Sequence, residues 1–349
     1  MRLERRADVP LALAATAPLG AILAALALSG VLIAAAGANP LEAYAAMLHG
    51  AFGSRLAITE TLARATPLIL TGLAAAVAFR ARLWNIGGEG QLYMGALAAV
   101  WLGHSALVGL PPALGILVMM LAGMAAGAAL LIGPVILRVR FGVDEVVTTL
   151  LLNFVVILFV GMMIEGPLRD PLAFGWPQSV PVDDGLLLPK LVERTRLHIG
   201  LLVAAGAALV VWVIAARTVF GMRTRAAGLS PRAAAFAGVS LPRTLVGVGL
   251  LSGALAGLAG AIEVAGLKGY VTTDLSPGYG YAGIVVAMLA ALNPIGVVAS
   301  ALFVAVAFVG ADAMSRAVGT PSFIADVIVS VSLLTMLVAL LFTSYRIRR

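Results

Sequence analysis

The sequence is poor in three kinds of residue: cysteine, charged residues and aromatic residues. Cysteine is absent, charged residues make up 11% of the 349 positions, and aromatic residues make up 6%. Without cysteine the chain forms no disulfide, thiolate metal site or cysteine nucleophile. A soluble domain carries about 25% charged residues, so this chain is too poor in charge to be one. It also lacks the G-x-x-x-x-G-K-[ST] phosphate loop, so it is not itself a P-loop ATPase.

The sequence is instead rich in apolar and small residues. Hydrophobic residues account for 62% of the chain, and the mean hydropathy is +1.07. The apolar runs have the length of membrane helices and do not alternate as the short strands of a membrane barrel do. Small residues such as the 39 glycines let helices approach closely in lipid. These features predict an all-α, polytopic transmembrane helical bundle that forms a single domain over residues 1–349.

The apolar runs predict about ten membrane spans. In order, these are Leu11–Ala36, Leu56–Phe79, Ile86–Leu107, Ala113–Leu137, Val146–Glu165, Leu197–Ala216, Thr244–Val264, Tyr279–Leu292, Ile295–Ala311 and Phe323–Phe342. Tyr279–Leu292 is too short for a core about 30 Å thick. It ends at Asn293-Pro294, where proline disfavours helix. This run and the next are therefore predicted to include a half-membrane helix. The amphipathic stretch Asn39–Gly53 is expected to lie in the membrane interface.

The distribution of basic residues predicts the orientation of the bundle. With both termini in the cytoplasm, most of the 23 Lys and Arg residues fall in cytoplasmic segments, as the positive-inside rule requires. This bias also explains the pI of about 10.4 without any binding of nucleic acid. The longest external loop is then residues 166–198, and the main cytoplasmic loop is residues 217–243.

A polar, glycine-rich stretch, Phe79–Gly95, interrupts two long apolar runs. Polar groups are costly in lipid and mark functional sites by default, and glycines there permit a broken helix whose ends face a substrate. In an alternative interpretation Arg80 and Arg82 mark a cytoplasmic turn, and Glu89 forms an ion pair with one of them. The chemistry alone fits both. The residues predicted to line a substrate path are Asn85, Glu89 and Gln91, together with two polar residues in other spans, Asn153 and Asp326.

The sequence offers no constellation for catalysis or for metal binding. The three histidines, His49, His104 and His198, lack the spacing of metal ligands, and no nucleophile–base pair is present. We therefore expect no enzymatic activity, no catalytic residue, no metal and no cofactor bound by this chain. The spacing of Gly249, Gly253 and Gly257, and of Gly123 and Gly127, predicts helix-packing faces.

The cytoplasmic loop 217–243 contains the signals of a short helix. Ser230 is a good N-cap, Pro231 suits the first helical position, and Gly238 suits the position after the end. They delimit a helix over Pro231–Ala237 that displays Arg232 and Phe236, as a docking element would. The alternative is a solvated loop whose arginines only set topology. The residues predicted to couple to a partner are Arg223, Arg225, Ser230, Pro231, Arg232, Phe236 and Gly238.

The motif at residues 85–91, N-I-G-G-E-G-Q, resembles the N-I-G-x-E-G-Q signature of permease subunits of nucleoside-type ABC importers. This branch is related to the ribose and branched-chain amino acid permeases. Four further segments resemble the same family: Asn39–Tyr44, Arg138–Glu145, Phe220–Pro231 and Gly283–Gly296. The likeness therefore covers nearly the whole chain.

The resemblance implies a permease that moves nucleosides inward across the bacterial cytoplasmic membrane. It implies a cytoplasmic ABC ATPase that uses ATP, a second related permease subunit, and an external substrate-binding (lipo)protein. The helix at Pro231–Ala237 would be the coupling helix on the ATPase. Two alternatives stay open. The first is an ABC permease for a simple sugar or other small polar solute. The second is an ion-coupled secondary transporter with Glu89 or Asp326 as its coupling carboxylate.

Overall fold

The computed structural model describes residues 2–5, 11–107, 109–319, 327, 329–331, 334–335, 338–339 and 345–348. The helices in this part of the chain are α1 Leu11–Ala35, α2 Pro40–Phe52, α3 Arg55–Arg80, α4 Gly88–Trp101, α5 Pro112–Phe141, α6 Glu145–Glu165, α7 Gly200–Arg217, α8 Val219–Leu229, α9 Pro231–Phe236, α10 Leu241–Glu263, α11 Tyr279–Leu289 and α12 Pro294–Val318. Single π-helical turns extend α4 over Leu102–Ala106 and α10 over Val264–Lys268, and Asp184–Leu186 forms a 3₁₀ turn. Most of the predicted last span, Phe323–Phe342, and with it Asp326, lies outside the described residues.

The architecture is that of a polytopic helical membrane protein, as the sequence predicts. Among the described helices, six are long and apolar enough to cross a membrane, namely α3, α5, α6, α7, α12 and α10 with its π-helical extension. A seventh span is counted if Leu23–Ala35 and Pro40–Phe52, bent by 116°, are one broken span. The α-helical class is thus confirmed. The only strands in the described chain are β1 (Arg2–Arg5) and β2 (Tyr345–Arg348), which pair antiparallel.

The chain divides into two compact units, residues 1–61 with 302–349, and residues 62–301. In the first unit, α2 begins where the sequence predicts, because the Asn39 side chain accepts a hydrogen bond from the Leu41 amide at 3.0 Å and Pro40 follows as the first helical residue. Helix α2 packs on α12 at Gly50, where an added Cβ would lie 2.0 Å from the Cβ of Ala313. The stretch predicted as Asn39–Gly53 is therefore a helix with nearly the predicted bounds.

In the second unit, α4, α5 and α10 pack with their backbones in contact. A Cβ added at Gly127 of α5 would lie 2.3 Å from the carbonyl oxygen of Gly253 of α10. A Cβ at Gly257 would lie 2.1 Å from the oxygen of Gly123, and one at Gly95 of α4 would lie 2.0 Å from the oxygen of Gly257. Only glycine fits such approaches. The predicted glycine packing faces are confirmed, and they create the centre of this unit.

The segment after α7 contains a helix that the sequence analysis missed. It identified only the short helix at Pro231, whereas α8 (Val219–Leu229) precedes it. The Thr218 hydroxyl caps α8 by accepting the Gly221 amide at 3.1 Å. Gly228 lies so close to α3 that an added Cβ would be 2.0 Å from the Arg80 carbonyl oxygen. The helix is thus stabilised by contacts with distant segments that its own arginine-rich sequence does not reveal.

Residues 166–199, the cap segment, are hydrogen-bonded to the ends of α4 and α10 at the end of the unit remote from Arg80. Backbone amides of the cap segment donate to carbonyl oxygens of these ends as follows: Ser179 to Val271 at 2.9 Å, Val182 to Gly269 at 2.8 Å, Asp183 to Gly103 at 3.0 Å and Leu188 to Ala265 at 2.8 Å. Regular pairing of this kind satisfies the backbone of a long loop. The predicted external loop is therefore an ordered structure.

His198 closes the cap segment immediately before α7. Its Nδ1 accepts the Gly200 amide at 3.1 Å, and its ring packs on Gly266, where an added Cβ would lie 2.4 Å from ring atoms. Lys190 donates to the Gly266 carbonyl at 2.8 Å. Burial, and secondarily the positive charge of Lys190, lower the pKa of His198 to about 4. The imidazole is therefore neutral in the folded cap segment at neutral pH.

Candidate transport site

The break between α3 and α4, residues 81–87, is held by a pair of side-chain amides. Asn85 Nδ2 donates to Gln91 Oε1 at 2.9 Å, and Gln91 Nε2 donates back to Asn85 Oδ1 at 2.8 Å. Asn85 also donates to Ser252 Oγ of α10 at 3.1 Å and accepts the Gly87 amide at 3.0 Å. Two donors and two acceptor positions exhaust the capacity of an asparagine side chain. Asn85 is thus fully hydrogen-bonded within the protein.

One face of α6 satisfies the backbone of the same break. Glu145, Thr149 and Asn153 follow each other at intervals of four residues, so they lie above one another on the helix. Their side-chain oxygens accept backbone amides of the break and of the first turn of α4: Trp84 to Glu145 at 3.1 Å, Ile86 to Thr149 at 3.2 Å and Gly90 to Asn153 at 2.8 Å. Unpaired amides are costly inside a membrane protein. We therefore interpret this ladder as the support that allows the chain to be non-helical there.

The ladder also gives the depth of the break. Asn153 follows the first residue of α6, Glu145, by eight positions, which is about 12 Å at 1.5 Å per residue. At the level of Glu145 an ion pair with Arg138 is formed, and the same guanidinium donates to the Arg82 carbonyl at 2.8 Å. The start of α4 thus lies about 12 Å inside the bundle from its arginine-rich end, the end formed by Arg80, Arg82, Arg138 and Arg225.

A second interrupted helix, α11, meets α4 at this depth. With 11 residues α11 spans about 16 Å, about half of a membrane core, as predicted for this run. Glu89 Oε2 accepts the Gly280 amide at 2.6 Å. The backbones are in contact, because a Cβ added at Gly280 would lie 2.1 Å from the Glu89 nitrogen. The N-termini of α4 and α11 therefore converge on one carboxylate, which suits the positive ends of their dipoles.

Two tyrosines, Tyr281 and Tyr93, complete the cluster of polar residues at the helix break. The Asn153 side chain donates to the hydroxyl of Tyr281 at 3.0 Å and to the Ile86 carbonyl at 2.9 Å. Tyr281 leaves 37% of its surface exposed. Tyr93 is buried, and its hydroxyl donates to the Thr273 carbonyl at 2.7 Å. An aromatic ring that is anchored at its hydroxyl and exposed at the helix break can stack on a planar ligand.

Four predicted site residues are brought together here. Asn85, Glu89, Gln91 and Asn153 are at most 3% exposed and belong to the cluster just described. Glu89 caps α11 and Arg80 donates to the Leu292 carbonyl at 2.9 Å, so the alternative in which these two form an ion pair is not what the structure contains. That these residues line a path stays a prediction. Glu145, Thr149 and Tyr281 also belong to this cluster and were not predicted, although the E-x-x-x-T-x-x-x-N spacing places the first two on the same helix face as Asn153.

The residues predicted to dock a partner lie on two consecutive helices, α8 and α9. Helix α9 has the predicted start: Ser230 Oγ accepts the Ala233 amide at 3.4 Å, and Pro231 is its first residue. Gly238 follows it with φ +82°, as a helix-ending glycine should. Phe236 is 97% exposed and Arg232 is exposed. Arg223 and Arg225 are exposed on α8.

A broken helix and a half-length helix whose ends meet inside a bundle of spanning helices are typical of membrane transport proteins. Residues 57–342 match the model of the family described as the branched-chain amino acid transport system permease component. The chain belongs to this family. Such permeases are transport subunits, and in general they work with an ATPase and a substrate-binding protein.

Characterised relatives agree with this assignment. The chain is 35% identical to the glucose ABC transporter permease protein TsgB13 of Haloferax volcanii, over 99% of this chain and 93% of the relative. It is 35% identical to the guanosine ABC transporter permease protein NupP of Bacillus subtilis, over 91% of each chain. It is 33% identical to the nucleoside ABC transporter permease protein NupB of Lactococcus lactis, over 86% of this chain and 84% of the relative. No solved structure matches the chain significantly.

Proposed function

We propose that this chain is the permease subunit through which an ABC importer of the bacterial cytoplasmic membrane moves nucleosides. A separate ATPase consumes the ATP, and this chain binds no cofactor. An external binding protein delivers the solute, and a second permease, either another copy or a related chain, completes the membrane part. The arginine-rich end of residues 62–301 faces the cytoplasm, in keeping with the positive-inside rule.

The observation that carries this proposal is the meeting of α4 and α11 at Glu89 and Gly280. Helix N-termini create positive potential, and the carboxylate between them is polar, so the site suits a polar solute. Tyr281 adds an exposed aromatic face beside them, and a nucleobase stacks on such a face. The nucleoside and guanosine permeases among the relatives support the same class of solute.

Uptake tests the proposal directly. Cells lacking the gene, and the same cells complemented with it, are compared for uptake of labelled adenosine, uridine, ribose and glucose. We expect loss of nucleoside uptake with sugars unaffected, and recovery on complementation. If only a sugar is lost, the transport role holds and the solute is wrong. Nucleoside uptake that is the same in both strains contradicts the proposal.

A sugar is the second candidate solute, favoured by the glucose permease relative that aligns over 99% of this chain. A sugar ring stacks poorly compared with a base but uses the same polar groups. Tyr281→Phe and Tyr281→Leu separate the two. For a nucleoside, phenylalanine should retain most uptake and leucine should lose it, because stacking depends on the ring and not on the hydroxyl.

The proposed coupling to an ATPase rests on the exposed face of α9. Phe236→Ala should abolish co-purification of the ATPase while leaving the melting temperature unchanged, because the ring contacts water in the isolated chain. Phe174→Ala is the matched control, since Phe174 in the cap segment is also fully exposed. Equal loss of the ATPase in both variants would contradict a specific role for α9.

A further inference from the structure

A cavity of about 790 Å³ opens at the arginine-rich end, where the helix break begins, and none of the predicted path residues Asn85, Glu89, Gln91 and Asn153 lines it. Its lining includes three arginines and two tryptophans: Arg80, Arg82, Arg225, Trp84 and Trp212. None of the described residues that line it is acidic. The cavity therefore combines a strongly positive charge with two large aromatic surfaces, and the proposed transport path uses neither.

The charges in this cavity are not balanced within the described chain. Arg225 of α8 lies close enough to Arg80 of α3 for their like charges to repel. Arg80 is held in place by its hydrogen bond to the Leu292 carbonyl. The side chains of Arg82 and Arg225 form no hydrogen bond to another described residue. Holding unpaired guanidinium groups together is unfavourable unless an anion binds between them.

The backbone is also strained at residues that line this cavity. Five non-glycine residues in the described part of the chain have positive φ, and three of them line this cavity: Arg82 at 56°, Ala291 at 48° and Leu292 at 61°. Such conformations are unfavourable for residues other than glycine, and they concentrate at functional sites. The Arg138 guanidinium fixes the first of them by bonding the Arg82 carbonyl. The backbone that carries Arg82 at the cavity is therefore held by the fold.

We propose that this cavity binds an anion that carries a phosphate group. Guanidinium groups bind phosphate with paired, charge-assisted hydrogen bonds, and three of them match a phosphate better than a single carboxylate. Two sources share this chemistry, the headgroup of an acidic phospholipid and a soluble phosphate compound. The lipid is at hand, because the cavity lies at the ends of α3 and α7, where tryptophans occupy the headgroup level and basic pockets bind acidic lipids.

The test uses the purified full-length chain in detergent, analysed by native mass spectrometry. Phosphatidylglycerol, phosphatidylcholine and inorganic phosphate are added separately. We expect selective retention of phosphatidylglycerol over phosphatidylcholine, reduced about tenfold in Arg225→Gln and in Arg82→Gln, since a lost charge-assisted bond changes affinity by about that factor. Arg217→Gln is the matched control, because Arg217 is an exposed arginine at the same end that does not line the cavity.

The outcomes of this test distinguish the two sources of the phosphate group, and they also show whether the proposal is wrong. Phosphate binding with the same dependence on Arg225 and Arg82, without selective retention of phosphatidylglycerol, identifies a soluble phosphate compound as the ligand. Retention that falls equally in Arg217→Gln means only general attraction to positive charge, and it overturns the proposal. Binding of neither ligand overturns it too, as does an effect of the variants on ATPase co-purification alone. Uptake is not a readout here, so failure of the proposed transport function would leave this test unaffected.

Discussion

The carboxylate of Glu89 caps α11 through the amide of Gly280, at 2.6 Å across 191 positions of sequence. This contact joins the first turn of α4 to the first turn of α11. This side chain thus links the two helices on which the proposed path depends.

Glu89→Gln should reduce uptake without loss of folding. Glutamine keeps an oxygen that accepts the Gly280 amide, but it replaces the ionisable carboxyl group between two helix N-termini with an amide that cannot ionise. We expect normal expression and a melting temperature within a few degrees of the wild type, with uptake reduced at least about tenfold. Uptake assays and thermal unfolding in detergent measure both quantities. Unchanged uptake would remove Glu89 from the site.

Asn153→Leu should destabilise the protein as well as stop transport. The side chain is fully buried and serves the Gly90 amide, the Ile86 carbonyl and the Tyr281 hydroxyl. Leaving such buried groups unpaired costs about 1–3 kcal/mol each, so a total loss of about 3 kcal/mol or more is expected. Thermal unfolding tests this, with Phe154→Leu on the exposed face of α6 as the control. Equal melting temperatures would contradict the ladder.

Gly127→Ala should be strongly destabilising, and Gly133→Ala on the same helix should not be. A Cβ at Gly127 would lie 2.3 Å from a carbonyl oxygen of α10, whereas nothing lies within 4 Å of one at Gly133. The first variant must separate α5 from α10, at a cost of about 1–3 kcal/mol or more. Unfolding of both variants in the same detergent gives the comparison. A similar small effect in both would mean that the helices can move apart freely.

Stability of the cap segment should fall as the pH is lowered from about 6.5 to about 4. The pKa of His198 is about 4 in the fold and about 6.5 when exposed. As the pH falls, the imidazole is therefore protonated first in the opened state of the cap segment, and this favours opening. Above this range both states are neutral, and below it both are charged. The total loss is about 3 kcal/mol, measurable by hydrogen exchange of cap amides.

Two asparagine substitutions, His198→Asn and His49→Asn, test whether His198 causes this pH dependence. His198→Asn keeps an acceptor for the Gly200 amide and cannot titrate, so the decline with falling pH should disappear. His49→Asn, on an exposed histidine of α2, should leave the decline unchanged. Persistence of the full decline in His198→Asn would assign it to another group.

The local signals in the sequence were sufficient for several helix ends. Ser230, Pro231 and Gly238 defined α9 almost to the residue, and Asn293-Pro294 marked the boundary between α11 and α12. These predictions succeeded because caps and proline act within one turn of the chain. The glycine faces of α5 and α10 were also recognisable, since their spacing repeats along one helix.

What the sequence did not reveal is pairing between distant segments. Glu145 and Thr149 read as ordinary residues at the start of a helix, and their partners are amides about 60 positions earlier. Helix α8 was missed because its arginine-rich composition resembles a loop, and its stability comes from contact with Arg80 of α3. Tyr281 lies within the predicted short span Tyr279–Leu292, and its bond to Asn153, 128 positions earlier, leaves no local signal.

The glycine contacts between α4, α5 and α10 also limit how the second unit can change shape. Side chains between two helices act as a soft layer that lets one slide on the other. Here backbone touches backbone at Gly127 and Gly253, and at Gly95 and Gly257, so no such layer exists. Sliding by even an ångström would bring main-chain atoms into collision. We expect these three helices to move through a transport cycle as one rigid block.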